Sequence, residues 1–274
     1  MSDFFSLMWK PLLACVVLTG IHGYLGLHVI ERKVIFVDLA LAQMAALGAT
    51  FAVCFGWNLH GPGTYWPSLA TTVFGAVLFS LARTRKEKIP LEAIIGIVYA
   101  VSAGLAILIL SRTAEGDEHI RFMLIGNILL VSLPEIVKMA LLYSGVGILH
   151  WCFRRNFFLI STQPEKAFEQ GVSVKTWDLI FYLTFGLVVT SSVHIAGVLL
   201  VFSFLIVPAV IAILFTDNLT LRLSWGWVIG IATSFVGIAL SYVFDLPTGA
   251  TIVCAFGAVL ILSLGVKRLL PSRR

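Results

Sequence analysis

Residues 186–215, GLVVTSSVHIAGVLLVFSFLIVPAVIAILF, constrain this chain more than any other stretch, because they contain no Asp, Glu, Lys or Arg. One histidine, His194, stands near the middle. At about 1.5 Å of rise per residue the run exceeds one crossing of a roughly 30 Å hydrocarbon core, and with the apolar residues before it there is length for two. In a bilayer every backbone amide must be satisfied internally, which leaves helices or closed barrels, and apolar sequence without alternation selects helices. The remainder of the chain agrees: 59% of residues are hydrophobic, 12% are charged and the mean hydropathy is +1.00. The expected class is all-α, a polytopic membrane helix bundle.

Apolar runs of about 17 to 25 residues mark the crossings. They fall near 11–30, 34–55, 66–82, 91–111, 134–153, 177–192, 196–215, 223–243 and 250–266. That is about nine transmembrane helices, eight being possible, in one transmembrane domain over 1–274. Orientation follows from Lys and Arg. With the C-terminus inside, the inner segments hold Arg32 and Lys33; Arg83, Arg85, Lys86 and Lys88; Arg154, Arg155, Lys166 and Lys175; Arg222; and Lys267, Arg268, Arg273 and Arg274. The outer segments keep only Lys10, Arg112 and Arg121, so the N-terminus is expected outside. The net charge of +5 is therefore a topology signal rather than a nucleic-acid surface.

Several chemistries are excluded or disfavoured. The chain has no GxxxxGK phosphate loop ending in Ser or Thr, no GxSxG elbow and no HExxH pair, so any energy source that drives it comes from elsewhere. Cys15, Cys54, Cys152 and Cys254 form no CxxC pair and read as packing residues. Leu12 to Cys15 resembles a lipoprotein cleavage box, but too few apolar residues precede it, and the first run reads as a retained helix.

Four groups of residues carry more specific information. Between Arg154 and Trp177, Pro164 opens and Gly171 closes a short helix with Glu165 and Ala167 on it; the segment 161–176 is either an interfacial helix or a docking element for a cytoplasmic partner. Asp245, Pro247 and Gly249 make an outer turn, where Asp245 caps a helix or accepts from turn amides. Glu92 follows Pro90 in the first turn of its helix and complements the dipole there. Within membrane depth lie His22, Asp38, Gln43 and His194, which are costly there unless paired or facing water. Each is either a hydrogen-bonded structural group or part of a ligand set for zinc, manganese or iron.

The run HIAGVLLVFSFLIVPAVIA from His194 to Ala212, with Gly197 and Pro208, resembles the GxLLVxxLLxxPAxxA segment of the ABC type 3 permeases, the integral-membrane subunits of bacterial importers for zinc, manganese and iron. Glu92 to Ala100, Gly126 to Ser132, Pro164 to Gly171 and Asp245 to Gly249 match further family segments in the same order. The resemblance implies a type II ABC importer permease-like fold and a non-enzymatic transport subunit in the bacterial inner membrane. It further implies a second copy of the chain, a cytoplasmic ABC ATPase dimer and an extracytoplasmic metal-binding protein as partners, with surrounding lipid and no nucleic acid. The cargo would be a divalent ion, zinc or manganese first, with no permanently bound cofactor. It also assigns Pro164, Glu165, Ala167 and Gly171 to ATPase coupling, and Gly197, Pro208, Asp245, Pro247 and Gly249 to the gate and its structural motif.

One departure bears on the cargo. The family often carries GDxLxHxxLxG at the start of its second helix, but aligning Gly48 with the last glycine puts Gln43 at the histidine and Leu39 at the aspartate, with Asp38 displaced by one. That displacement turns Asp38 by about 100° around the helix. His22 and His194 are the compensating candidates. The alternatives are a permease for a metal chelate or other small solute, and an ATPase-independent secondary transporter, which would show internal repeats that are not evident here.

Overall fold

The structure is a computed structural model and describes residues 2–57, 62–83, 89–111 and 122–269. The basic residues Arg85, Lys86, Lys88, Arg112, Arg121, Arg273 and Arg274 lie outside these. All regular elements among the described residues are helical: α1 (Ser2–Glu31), α2 (Val37–Cys54), α3 (Tyr65–Ala82), α4 (Leu91–Leu110), α5 (Leu133–Cys152), α6 (Arg154–Thr162), α7 (Pro164–Glu169), α8 (Val174–Phe215), α9 (Leu219–Phe244) and α10 (Thr248–Leu269). Short 3₁₀ turns at Pro62–Thr64 and Ile128–Leu130 precede α3 and α5.

Among the described residues seven helices are long and apolar enough to cross a membrane, or eight if α5 and α6, which meet at a 77° bend, form one broken span. The 42-residue α8 counts once in that tally, although a straight helix of its length would reach about 63 Å, roughly twice the hydrocarbon core. Gly197 interrupts it with φ 75° and ψ 162°, so α8 consists of two helices joined at a kink, which together hold the apolar length of both crossings read between 177 and 215. The break is narrower than the Ser191 to Gly197 stretch suggests: residues 191–196 are helical, and His194 sits about one turn before the kink. Helix α1 starts at Ser2, well ahead of the expected 11, and carries Pro11 inside it.

Helix ends are specified locally. Ser132 and Glu135 form a reciprocal capping box at the start of α5: the Ser132 amide donates to the Glu135 carboxylate at 2.8 Å and the Glu135 amide to Ser132 Oγ at 3.4 Å. Asn218 caps α9 by accepting from the amides of Thr220 and Leu221. At the far end of α9, Asp245 takes the left-handed conformation as its C-cap, φ 52° and ψ 45°. Ser241 Oγ donates to the Leu246 carbonyl and meets Thr248 Oγ1 at 2.8 Å, so these two hydroxyls hold the turn that includes the exposed Asp245 and Pro247. Asp245 therefore enters the turn through its backbone.

The chain divides into two compact units. The first comprises Met1–Ile30, Ile125–Leu141 and Ile195–Arg274. Its helices approach closely through small residues: a Cβ added to Gly26 would lie 1.9 Å from the Leu205 carbonyl oxygen, and Trp227 Nε1 donates to the Gly20 carbonyl at 3.0 Å. The second comprises Glu31–Leu124 and Leu142–His194. Here hydroxyls join the helices: Thr71 Oγ1 donates to the Met44 carbonyl at 2.6 Å, and Thr190 Oγ1 to Thr72 Oγ1 at 3.0 Å.

Candidate functional site

The most heavily charged buried point in the second unit is Asp178, near the start of α8 and fully buried. Arg83 Nη1 donates to both of its carboxylate oxygens at 3.0 Å, and Arg32 Nη1 forms a second, closer ion pair with Oδ1. Arg32 Nε also donates to Ser161 Oγ at 2.8 Å, and its guanidinium lies 4.0 Å from the centre of the Phe181 ring. Burial pulls the Arg32 guanidinium below its ordinary range, and the Asp178 carboxylate opposes that pull. One carboxylate thus ties together the turn after α1, the end of α3 and the start of α8, with Ser161 bringing in the end of α6. Ser80 Oγ, donating to the Lys175 carbonyl at 3.0 Å, adds a second tie between α3 and α8. Sequence reasoning missed Asp178 altogether and read Arg32 and Arg83 as topology charges only.

The segment 161–176 is built on this anchor. Pro164 occupies the first turn of α7, where its missing N–H costs nothing. Gly171, with φ 71°, ends the helix: its amide donates to the Phe168 carbonyl at 3.2 Å and the Val172 amide to the Ala167 carbonyl at 3.0 Å, the two bonds of a Schellman motif. Ala167 is fully buried and forms a small core with Ile160 and Val174, flanked by Phe168, Val172 and Trp177. Consequently the surface of α7 consists of Glu165, Lys166 and Glu169, while Ala167 holds the segment together from below. The sequence did not reveal α6, a full nine-residue helix that precedes α7.

The intramembrane candidates do not assemble into one cluster: among the described residues no group of three or more His, Cys, Asp or Glu could hold a metal ion. Asp38 is fully buried in the first turn of α2, and neither carboxylate oxygen has a hydrogen-bond partner. His194 lines a small cavity of about 30 Å³ together with Ala45, Ala46, Ala49, Phe122 and Met123, and its ring centre is 6.3 Å from that of Tyr65. These alanines continue the helical stripe that begins at Asp38, two to three turns further along α2, so Asp38 and His194 address different depths of one helix face. Gln43, half-buried, lies about 140° around α2 from Asp38. His22 belongs to the other unit, where it is fully buried and donates from Nδ1 to the Leu18 carbonyl at 2.9 Å.

The kink in α8 has its own support. The Asn127 amide donates to the Ile195 carbonyl at 3.2 Å, and the backbone of Gly126 lies against Ala196 and Gly197 so closely that an added Cβ would fall 2.2 Å from the Ala196 carbonyl carbon. Broken helical backbone is tolerated at membrane depth where neighbouring protein satisfies it, and residues 126–127 do that here. On the other side of the break Pro208 is buried within the second limb. Gly249, buried at the start of α10, packs against the Ile125 carbonyl, which would lie 2.7 Å from an added Cβ.

Residues 4–267 match the ABC 3 transport family. The chain belongs to this family. Among curated ABC 3 relatives, it is 26% identical to the "Probable iron transport system membrane protein" of Haemophilus influenzae, over 87% of this chain and 94% of the relative. It is likewise 26% identical to the "Manganese transport system membrane protein MntC" of Listeria monocytogenes, over 91% and 86%. Two solved structures share the fold of this ABC 3 chain. PsaBC from Streptococcus pneumoniae in complex with Fab gives a TM-score of 0.78 at 19% identity, covering 96% of this chain and 94% of that one. An inward-facing ABC transporter described as metal-chelate type gives 0.72 at 18% identity, covering 96% and 90%. The ABC 3 chain is thus a multi-span membrane transport subunit.

Proposed function

We propose that this chain is the permease subunit of an ATP-driven importer of a divalent transition-metal ion, zinc or manganese ahead of iron. Family membership supports the transport role, and the manganese and iron relatives support a metal cargo. The observation that carries the cargo on this chain's own residues is Asp38. A carboxylate removed from water with both oxygens unpartnered is costly unless it takes up a proton or meets a counter-charge, and a divalent cation in transit would supply the latter. Gln43, His194 and His22 are secondary polar groups along the route, and Gly197, Pro208, Asp245, Pro247 and Gly249 shape its gate.

In this reading two copies of the chain enclose the pathway, a delivery protein loads it from outside, and an ATPase dimer docks inside against the segment 161–176. The N-terminus lies outside and the C-terminus inside the bacterial inner membrane. ATP hydrolysis in the partner moves Glu165 and its helix, and the Asp178 ion pairs pass that movement to α3 and α8. The site must bind strongly enough to accept the ion and weakly enough to release it.

In vesicles reconstituted with the ATPase and the delivery protein, Asp38→Asn is expected to cut zinc or manganese uptake by at least tenfold, while the protein keeps its gel-filtration profile and its ATPase partner. Unchanged uptake would remove Asp38 from the pathway. Glu165→Arg is expected to lower copurification of the ATPase several-fold without altering thermal stability, since Glu165 is exposed; full copurification would dismiss the docking assignment. The chelate reading has one observation in its favour, the lack of a three-ligand cluster among the described residues. Uptake of a chelate but not of the free ion by the same vesicles would select it.

A further inference from the structure

We propose that the groove beside α6 and α7 binds the phosphate headgroup of an anionic phospholipid. The cavity, about 730 Å³, has Cys152, Arg154, Arg155, Phe158, Gln163 and Gln170 among its lining residues. Among the described residues that line it, the charged ones are the two arginines, which makes this end of the groove basic. A guanidinium fork matches a phosphate diester in both charge and geometry. Arg154 is already ordered: its guanidinium lies 4.5 Å from the centre of the Trp151 ring and donates to the Trp151 carbonyl at 3.1 Å.

The surroundings select a lipid over a protein. Because α6 turns 77° away from α5, it runs across the bilayer rather than through it when α5 spans. Its Phe157 and Ile160 are buried, while Arg154 and Arg155 stay exposed. On the last turns of α5, Ile148 is 64% and Trp151 68% exposed, which gives an apolar path from the acyl-chain region up to the arginines. The surface of α7, by contrast, mixes Glu165 and Glu169 with Lys166 and suits a folded partner of mixed charge. The arginine end of the groove, which precedes 161–176, and the α7 surface therefore serve different neighbours, with Gln163 and Gln170 at the boundary between them. This inference rests on the chain being embedded in a membrane and is independent of the cargo.

Cys152 provides the probe, since its thiol is exposed at the groove. In the full chain with Cys54→Ser and Cys254→Ser, Cys152 would be labelled by a neutral maleimide in nanodiscs of phosphatidylcholine alone and of phosphatidylcholine with one-third phosphatidylglycerol. Phosphatidylglycerol is expected to slow labelling several-fold. Arg154→Gln with Arg155→Gln should abolish that protection, and Arg154→Lys with Arg155→Lys should retain part of it, which separates lost charge from lost fold. Equal rates in the two lipids, or protection that survives the glutamine pair, would overturn the proposal. So would protection by inorganic phosphate in phosphatidylcholine discs at the same level, or protection that appears only when the ATPase partner is added. Lost metal uptake with intact lipid protection would fault the cargo reading and leave the lipid site standing.

Discussion

Asp178→Asn is expected to give the largest loss of folded protein of any conservative substitution in this chain. The change removes one negative charge from a point where Arg32 and Arg83 converge, and the Arg32 side chain is fully buried. Breaking a buried ion pair from one side costs on the order of 3–5 kcal/mol, because the remaining charge keeps its desolvation penalty without its counter-ion. The asparagine can still accept one hydrogen bond, so the loss is electrostatic rather than steric. The measurement is the midpoint of thermal aggregation in detergent, read by fluorescence-detected gel filtration, together with the yield of monodisperse protein. Adding Arg83→Gln to Asp178→Asn should recover part of the loss, since the pair then lacks one uncompensated cation. Asp217→Asn makes the comparison sharp: Asp217 also pairs with an arginine, Arg222, at 3.1 Å, but it is fully exposed, and no measurable change is expected. Equal midpoints for Asp178→Asn and Asp217→Asn would show that the buried network contributes nothing.

Gly126→Ala and Gly197→Ala are the second pair, and here the obstacle is backbone rather than charge. Gly197 has φ 75° and ψ 162°, a region that residues with a Cβ enter at about 1–3 kcal/mol. Gly126, with φ 65°, adds to this a methyl that would lie 2.2 Å from the Ala196 carbonyl carbon and 2.3 Å from the Gly197 nitrogen. Backbone atoms cannot rotate away as a side chain does, so Gly126→Ala should be the worse of the two. Both are expected to lower the thermal midpoint and to abolish transport in whatever protein survives purification. Gly145→Ala and Gly147→Ala, within α5 and with nothing within 4 Å of the added methyl, should be neutral or slightly stabilising. A Gly126→Ala protein as stable as Gly145→Ala would show that the segment does not hold the kink.

The sequence announced some of these features and concealed others for physical reasons. Hydropathy located the long helices because burial in lipid leaves a local compositional mark, and Pro164 with Gly171 marked α7 because each acts on the backbone where it stands. The turn at Asp245 was visible in the same way, but not that Asp245 would cap through its backbone. Asp178 left no such mark. Its partners lie 146 and 95 residues away, and an acid beside Trp177 at a helix start reads as an ordinary end charge. The same blindness applied to α6, whose RRNFF opening resembles a basic loop until the bend after Cys152 is seen. Among the intramembrane groups, the sequence pointed to Asp38, and the structure adds the property that matters, the absence of any partner for either oxygen. His194 was placed at a break because small polar residues precede it, whereas only Gly197 leaves helical geometry.

The kink in α8 is held by a hydrogen bond from outside the helix, and this gives the bend an order of assembly. Asn127 is synthesised well before Ile195, so the donor is in the chain when the acceptor emerges. Residues 174–215 made alone would have no such donor for the Ile195 carbonyl. The break at Gly197 is thus supported partly by the glycine itself and partly by a dipeptide some seventy residues earlier, and a fragment lacking 126–127 would carry the full apolar sequence without that support.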